Sequence, residues 1–182
     1  MSDNLQSASN LDSQGGFGAS VAGKYLTFAL GAEDYGIEIL KVIEIIGMMH
    51  VTRVPRCPDY VKGVINLRGK IIPVMDLRMK FGMASAEYNE KTCTIIVNVW
   101  AEGQEVAIGM IVDTVDEVVD FEAGNIEPPP EYGVNLDTRM ILGIGKGNEG
   151  AVVILIDIDK VLSGADTKVI SEAAQEEVRA EE

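Results

Sequence analysis

The 182-residue chain is 47% hydrophobic and carries a formal net charge of −14 at pH 7. This excess of acid argues against a nucleic-acid-binding protein, which needs a basic surface to displace counterions from phosphate, and it also disfavours binding to an anionic membrane. No apolar run approaches the roughly 20 residues that cross a bilayer, and the amino end lacks the features of a signal peptide. We therefore predict a cytoplasmic protein.

The composition also indicates the fold class. Aromatic residues make up only 5% of the chain, and the apolar content is dominated by Val and Ile, which favour strands over helices. The length allows one compact domain or two small halves packed together. Cys57 and Cys93 are too few for a disulfide framework and have no metal-binding spacing, so we expect two reduced thiols.

The first elements follow a polar start. Residues 1–22 are rich in Ser, Asn, Gln and Gly, and we expect them to form a disordered arm. Residues 25–30 and 35–39 alternate apolar and polar side chains around a turn, which predicts a β-hairpin. Residues 40–46 fit a helix as well as a strand, and we interpret them as a short helix.

The central part of the chain is the most informative. Residues 61–67 and 71–77 form two apolar runs around the turn 66–69, where Asn and Gly favour positive φ and the long side chain of Arg68 stands at the tip. Pro73 cannot donate a ladder hydrogen bond, so it is expected at an edge or a bulge. Asp76 is expected to cap a short helix.

The second half continues the β pattern. Residues 92–100 and 106–112 predict one hairpin, and residues 141–145 and 152–156 predict another, with an acidic strand at 113–121 between them. Short strands joined by tight turns predict two small closed barrels rather than an open parallel sheet. The acidic tail from residue 166 to residue 182 lies outside the predicted domain, which spans residues 23–165.

Catalytic chemistry finds little support. His50 is the only histidine and lacks a neighbouring nucleophile, and the glycines of residues 143–147 are not followed by the Lys-Ser or Lys-Thr of a phosphate loop. Acid pairs such as Asp113 and Asp116 lack the Gly and closing Glu of a calcium loop. We predict no enzyme activity, no cofactor and no metal.

Binding residues are easier to find. Glu44 lies in an apolar run and needs a cation or water, and Arg68 is a plausible partner. Two alternatives stay open, because this pair either braces the barrel or presents Arg68 to a partner. Val118 could join Val42 in an apolar patch rimmed by charge. Tyr132 is either a packing residue or an anchor at a second interface.

Several of these motifs together resemble one family. The runs 62–69, 72–74 and 76–78 resemble the central signature of the CheW family of chemotaxis adaptors. The runs 35–46 and 111–118 match the same family in order and approximate spacing. The resemblance extends from about residue 24 to about residue 164.

This resemblance implies a fold and a function. The fold would be mainly β, with two SH3-like five-stranded β-barrel subdomains packed together, short helices and flexible termini. The protein would be a non-catalytic adaptor that joins the cytoplasmic hairpin tip of chemoreceptors to the regulatory domain of the histidine kinase CheA in membrane-associated arrays. An adaptor of a non-flagellar chemosensory pathway is the nearest alternative, and a small-ligand-binding barrel is a distant one.

The resemblance also implies partner-binding positions, with no cofactor or metal among them. The matching residues are Val42, Glu44, Gly63, Arg68, Gly109, Val118 and, less closely, Tyr132. Glu127 is acidic where the family often has a basic residue, which puts a charge-based contact there in doubt.

Overall fold

A computed structural model describes residues 16–130 and 137–162, together with Glu172. Helix α1 spans residues 16–21, α2 spans Leu77–Lys80 and α3 spans Ile158–Val161. Short 3₁₀ turns occupy Ile39–Lys41 (η1), Ala123–Asn125 (η2), Thr138–Met140 (η3) and Asn148–Gly150 (η4). The strands are β1 (Gly23–Leu30), β2 (Glu33–Glu38), β3 (Val42–Gly47), β4 (Val61–Leu67), β5 (Lys70–Asp76), β6 (Cys93–Ala101), β7 (Gln104–Val112), β8 (Thr114–Phe121), β9 (Ile126–Glu127), β10 (Ile141–Lys146) and β11 (Val152–Ile156).

These strands form two sheets, which confirms the mainly β prediction. One sheet has the order β8-β1-β2-β11-β10-β9, and the other has the order β3-β6-β7-β5-β4. The predicted number of five strands holds for the second sheet. The first has six, because the two residues of β9 pair with Ile144 and Gly145 of β10.

The five-stranded sheet curves until its two edges approach each other. Strands β3 and β4 are the edges, and the chain that follows β3 returns to β4 at Thr52. The amide of Thr52 donates to the carbonyl of Val64 at 2.9 Å, and the amide of Val64 donates back to the carbonyl of Thr52 at 2.9 Å. This bridge satisfies backbone groups that an open edge would expose, and it closes the barrel at one end.

The six-stranded sheet is closed in a different way. Its edge strands β8 and β9 are joined by the four residues 122–125, so that the two edges lie near each other. Phe121, at the end of β8, packs against Gly145 on β10, where a Cβ atom would come within 2.7 Å of the ring. Glycine at this position therefore lets the aromatic ring fill the barrel.

The two barrels share one core. Strands β1 and β2 precede the five-stranded sheet in sequence but pair with the later strands β8 and β11. The chain therefore begins in the six-stranded sheet, forms the five-stranded sheet with β3 to β7, and then returns to the six-stranded sheet. Members of the largest buried cluster include Phe28, Leu30 and Ile37 from β1 and β2, and Ile95, Val97 and Met110 from β6 and β7. Because these side chains exclude water together, the halves are expected to unfold as one unit.

The short helix predicted for residues 40–46 is wrong for most of its length. Only η1 is helical, and β3 begins at Val42 and pairs with β6. Residues 42–46 are β-branched except for Glu44, and such side chains lose less freedom in a strand than in a helix. Pairing with β6 therefore makes residues 42–46 a strand, although their apolar periodicity is compatible with either a helix or a strand.

The amino-terminal arm also differs from expectation near its end. Residues 16–21 form α1, and Phe17 and Val21 pack against the cluster around Tyr25 and Phe121. The Tyr25 hydroxyl donates to the carbonyl of Val21 at 2.6 Å. Residues 1–15 and nearly all of the acidic tail lie outside the described residues, so those parts of the predicted domain boundaries stay predictions.

Two local expectations around β5 agree with the structure. Asp76 caps α2, since its side chain accepts a hydrogen bond from the amide of Met79 at 3.2 Å, and its other oxygen accepts one from the Tyr88 hydroxyl at 2.8 Å. Strand β5 lies between β7 and β4, but its pairing with β7 begins only at Val74. Pro73 is therefore on a locally unpaired edge, as its missing amide hydrogen requires.

Candidate partner-binding site

Arg68 stands on a tight turn between β4 and β5. Both turn residues have positive φ, +52° at Arg68 and +85° at Gly69, and this pattern is that of a type I′ hairpin. Asn66, two residues before Arg68, stabilises the turn, because its Oδ1 atom accepts a hydrogen bond from the amide of Gly69 at 2.9 Å. The rigid turn holds the Arg68 side chain at the rim of the barrel.

Arg68 and Glu44 form a bidentate ion pair. Nη1 of Arg68 lies 2.7 Å from one Glu44 oxygen, and Nη2 lies 2.5 Å from the other. Because Glu44 is on β3 and Arg68 follows β4, the pair joins the two edge strands, whereas the Thr52–Val64 bridge joins β4 to the chain that follows β3. The Glu44 side chain is 23% exposed and that of Arg68 is 72% exposed, so the guanidinium also remains accessible from solvent.

The ion pair changes the acid–base behaviour of both groups. The hydrogen bonds from Arg68 hold the pKa of Glu44 below its ordinary value, and the same hydrogen bonds raise the pKa of Arg68. Since the pKa of Glu44 is lower in the folded state than in the unfolded state, the pair stabilises the fold above the unfolded pKa. This contribution is lost as the pH falls through the folded pKa.

We expect the shift to be visible in a titration of the Glu44 carboxyl carbon followed by nuclear magnetic resonance. In the wild type its midpoint should lie below the ordinary glutamate value, and in Arg68→Ala it should move up towards that value because the hydrogen bonds are lost. An equal midpoint in the two proteins would show that the pair does not form in solution.

Three of the predicted site residues share one layer of the five-stranded sheet. Register places Glu44 opposite Ile96, Ile96 opposite Gly109, Gly109 opposite Val74, and Val74 opposite Gly63. Both glycines are buried. A Cβ atom at Gly109 would lie 3.0 Å from a methyl group of Thr94, and one at Gly63 would lie 2.0 Å from the carbonyl oxygen of Thr52. The structure thus gives both glycines a packing position, and their contact with a partner stays a prediction.

The other predicted positions are spread over the molecule. Val42 is half-buried and packs against the shared core. Val118 is 48% exposed and lies on β8 of the six-stranded sheet, opposite Leu26, so it does not share a sheet with Val42. Tyr132 lies outside the described residues. Glu127 has an internal partner, since its Oε1 atom is 2.5 Å from Nζ of Lys146.

The sequence-based prediction missed an exposed apolar surface on η1 and β6. Here this name denotes Leu40, which is 95% exposed, and Trp100, which is 60% exposed. Asp159 connects the two segments, since it accepts hydrogen bonds from Nζ of Lys41 and from the backbone amide of Trp100. A signal for it exists in the run 37–46, where more apolar side chains occur than one face of a strand can bury. Clustered exposed apolar residues indicate an interaction site.

Among the described residues, no three His, Cys, Asp or Glu side chains are arranged to hold a metal ion. A search for membrane-spanning segments in the same residues finds no helix that is long and apolar enough.

Known proteins share both the sequence pattern and the fold of this chain. The sequence profile of the CheW-like domain matches residues 24–166, which is most of the chain. The chain belongs to the CheW family. The chemotaxis protein CheW of Klebsiella aerogenes is 43% identical over 158 residues, which cover 87% of this chain and 92% of that protein. The chemotaxis protein CheW of Helicobacter pylori is 36% identical over 132 residues, covering 72% of this chain and 77% of that one.

A solved structure agrees with these sequence relatives. The scaffolding protein TtCheW of Thermoanaerobacter tengcongensis superposes with a TM-score of 0.69 at 35% identity, covering 80% of this chain and 95% of that one. The predicted family and the predicted pair of SH3-like β subdomains are therefore confirmed. As a member of the CheW family, the chain is a chemotaxis coupling adaptor that works with signalling-array partners, and the family is one of non-catalytic scaffolds.

Proposed function

We propose that this chain joins the cytoplasmic hairpin tip of chemoreceptors to the regulatory domain of the histidine kinase CheA, without catalysing a reaction itself. It would do so in the cytoplasm, recruited to membrane-associated receptor arrays. The observation that carries the proposal is the rigid turn that holds an accessible Arg68 guanidinium at the rim of a barrel, paired to Glu44 on the opposite edge.

The receptor contact fits the Arg68 rim. A receptor hairpin tip is a pair of helices, and a helix laid along the rim would meet the Arg68 guanidinium. A guanidinium has five N–H donors, and Glu44 occupies two of them, so donors remain for a helix carbonyl or a carboxylate. Arg68 can brace the barrel and contact the receptor at the same time.

The kinase contact fits the exposed apolar surface. The regulatory domain of the kinase has the same fold as the CheW family, so the contact would pack one barrel against another through apolar side chains. Leu40 and Trp100 supply large accessible apolar groups. Large side chains such as Trp often dominate the energy of an interface of this kind. Each contact alone would be small, and the array would gain strength from many such contacts.

The experiment that tests the proposal is a titration of the full chain with a receptor cytoplasmic fragment and the kinase. Complex formation and ATP-dependent autophosphorylation of the kinase are both measured. We expect a ternary complex and a receptor-dependent change in kinase activity, with no phosphate transfer when the kinase is omitted. Absence of binding to both partners would overturn the proposal.

A further inference from the structure

A cleft of about 410 Å³ lies beside the first residues of β4. Its walls come from the chain between β3 and β4, from α2 and from the connector of residues 81–92. Its floor is apolar, since Val61 is 9% exposed and Ile111 is 2% exposed, and Val51, Val54 and Met79 extend this apolar lining. We call it the β4 cleft. Its volume is in the range of sites that hold a ligand or a few side chains of a peptide.

A β-bulge brings two successive residues of β4, Val61 and Lys62, to the same cleft. In a regular strand these neighbours would point to opposite faces of the sheet. Val61 pairs with Met75 but Gly63 pairs with Val74, so Lys62 is the extra residue of a bulge. The φ of +141° at Gly63 belongs to this irregular backbone. The bulge therefore places a long cation beside an apolar floor.

A buried carboxylate holds two other lining residues in place. Asp76 is 2% exposed, and its Oδ1 atom accepts a hydrogen bond from the amide of Met79 at 3.2 Å. Its Oδ2 atom accepts one from the hydroxyl of Tyr88 at 2.8 Å, which ties the connector to α2. Met79 and Tyr88 both line the β4 cleft. The cleft is thus shaped before a ligand arrives, and this lowers the ordering that binding requires.

Arg53 and Lys62 give the β4 cleft two positive charges. Within the part of the chain that the structure describes, no hydrogen bond or ion pair joins either of them to another residue. Asp59 adds one carboxylate to the lining, which leaves a net positive charge. The whole chain has 29 acidic and 15 basic residues, so the charge of this cleft is opposite to that of the protein as a whole.

These features together fit a ligand that is both acidic and apolar. An apolar side chain would cover the floor, and carboxylates on either side of it would form charge-assisted hydrogen bonds with Arg53 and Lys62. The cleft is open to solvent along one side, so a peptide chain can pass across it. A second cleft, of about 450 Å³, would repel the same ligand, because its lining includes Asp34, Asp116 and Asp120.

We propose that the β4 cleft binds an acidic peptide segment of a partner protein, with an apolar side chain on the floor between carboxylates that pair with Arg53 and Lys62. The cleft is distinct from the two contacts of the proposed function. Lys62 precedes Arg68 by six residues along β4, which is roughly 20 Å at the rise of a strand. Leu40 and Trp100 are not among the residues that line it.

The test is a titration of the full chain with a defined probe, the blocked peptide acetyl-Glu-Leu-Glu-Leu-Glu-amide. Calorimetry gives the affinity, and amide nuclear magnetic resonance locates the site. Arg53→Gln and Lys62→Gln each remove a positive charge, and Asp59→Asn removes the negative one. Lys24→Gln is the matched control, because Lys24 is an exposed cation on β1 outside the cleft.

Three further ligands separate the parts of the probe. A peptide with Gln in place of Glu lacks the charges, and a peptide with Ser in place of Leu lacks the apolar side chains. Glutarate supplies two carboxylates without a peptide chain. Thermal midpoint and affinity for a receptor cytoplasmic fragment are measured for every variant.

We expect the probe to bind with a dissociation constant between about 10 μM and 1 mM, and to shift the amide signals of residues that line the cleft. Arg53→Gln and Lys62→Gln should each weaken binding about threefold, and the double variant about tenfold. Asp59→Asn should strengthen binding, and Lys24→Gln should leave it unchanged. Both altered peptides should bind at least about tenfold more weakly than the probe. Thermal midpoint and receptor affinity should stay as in the wild type.

Four outcomes would overturn the proposal. Absence of binding at about 1 mM probe, or signal shifts confined to residues outside the cleft, would show that the cleft is not the site. Equal weakening in Lys24→Gln and Arg53→Gln would show a response to net charge alone. Glutarate binding as tightly as the probe would show a site for small anions. A loss of receptor affinity in the Arg53 and Lys62 variants would make the cleft part of the receptor contact, and would leave the proposed function intact.

Discussion

Replacing Gly63 with alanine is expected to lower the free energy of unfolding by about 3 to 5 kcal/mol. Gly63 has a φ of +141°, a conformation open essentially to glycine alone. The new Cβ would lie 2.0 Å from the carbonyl oxygen of Thr52 and 3.0 Å from Cα of Arg53. Both are backbone atoms, so no rotamer change can relieve the clash, and the bridge between Thr52 and Val64 should break.

The chain offers a graded set of controls for this prediction. Gly47→Ala places a methyl group in open space at an ordinary φ, and Gly103→Ala places one in open space at a φ of +79°. The first should be nearly neutral, and the second should cost about 1 to 2 kcal/mol for its backbone conformation. Urea unfolding followed by circular dichroism gives all three values. A cost at Gly63 no larger than that at Gly103 would show that the barrel can shift to admit the methyl group.

The Gly63 variant tests whether this proposed site residue acts on the stability of the barrel or on contact with a partner. Gly63 and Gly109 have no side chain to offer a partner, and both are buried in the layer that begins at Glu44. A substitution at either glycine would disturb the shape of the barrel beneath the Arg68 rim. Impaired coupling in such a variant would therefore be explained by the barrel, and a binding assay at these positions needs a stability measurement beside it.

Local features of the site were predictable from the sequence, because they depend on neighbouring residues. The turn at Arg68 follows from Asn66 and Gly69, the helix cap follows from Asp76, and alternation marks most strands. The sequence also suggested that Glu44 needs Arg68, since a carboxylate in an apolar run requires a cation.

Long-range features were not predictable, because periodicity shows which face of a strand is buried and does not show which strand is its neighbour. The parallel pairing of β2 with β11 joins Tyr35 to Ile154, which are far apart in the sequence. The same limit explains why the predicted apolar patch joins Val118 to Val42 although the two lie on different sheets. The contacts of Asp159 are likewise not predictable from the sequence, since Asp159 and Lys41 are 118 residues apart.

Replacing Arg68 with alanine is expected to lower receptor affinity about tenfold or more while leaving the thermal midpoint close to that of the wild type. The side chain is 72% exposed, so its removal leaves no cavity, and the Thr52–Val64 bridge still closes the barrel. The measurement is a receptor-dependent kinase assay beside a direct binding titration. Unchanged coupling in both would contradict a role for Arg68 in the contact.

An exchange of the two charges distinguishes bracing from direct contact. The double variant Glu44→Arg, Arg68→Glu restores an ion pair between the same two edge strands but places the guanidinium on β3 and a carboxylate on the turn. If Arg68 only braces the barrel, the exchange should restore receptor coupling that each single variant has lost. We expect no restoration, because the accessible donors of the guanidinium would then be absent from the rim where the receptor helix lies. A double-mutant cycle, measured for receptor affinity and for thermal midpoint in parallel, decides between the two roles. If Arg68 only braces the barrel, the exchanged pair should recover both the receptor affinity and the thermal midpoint. If Arg68 contacts the receptor, the thermal midpoint should recover and the receptor affinity should stay low.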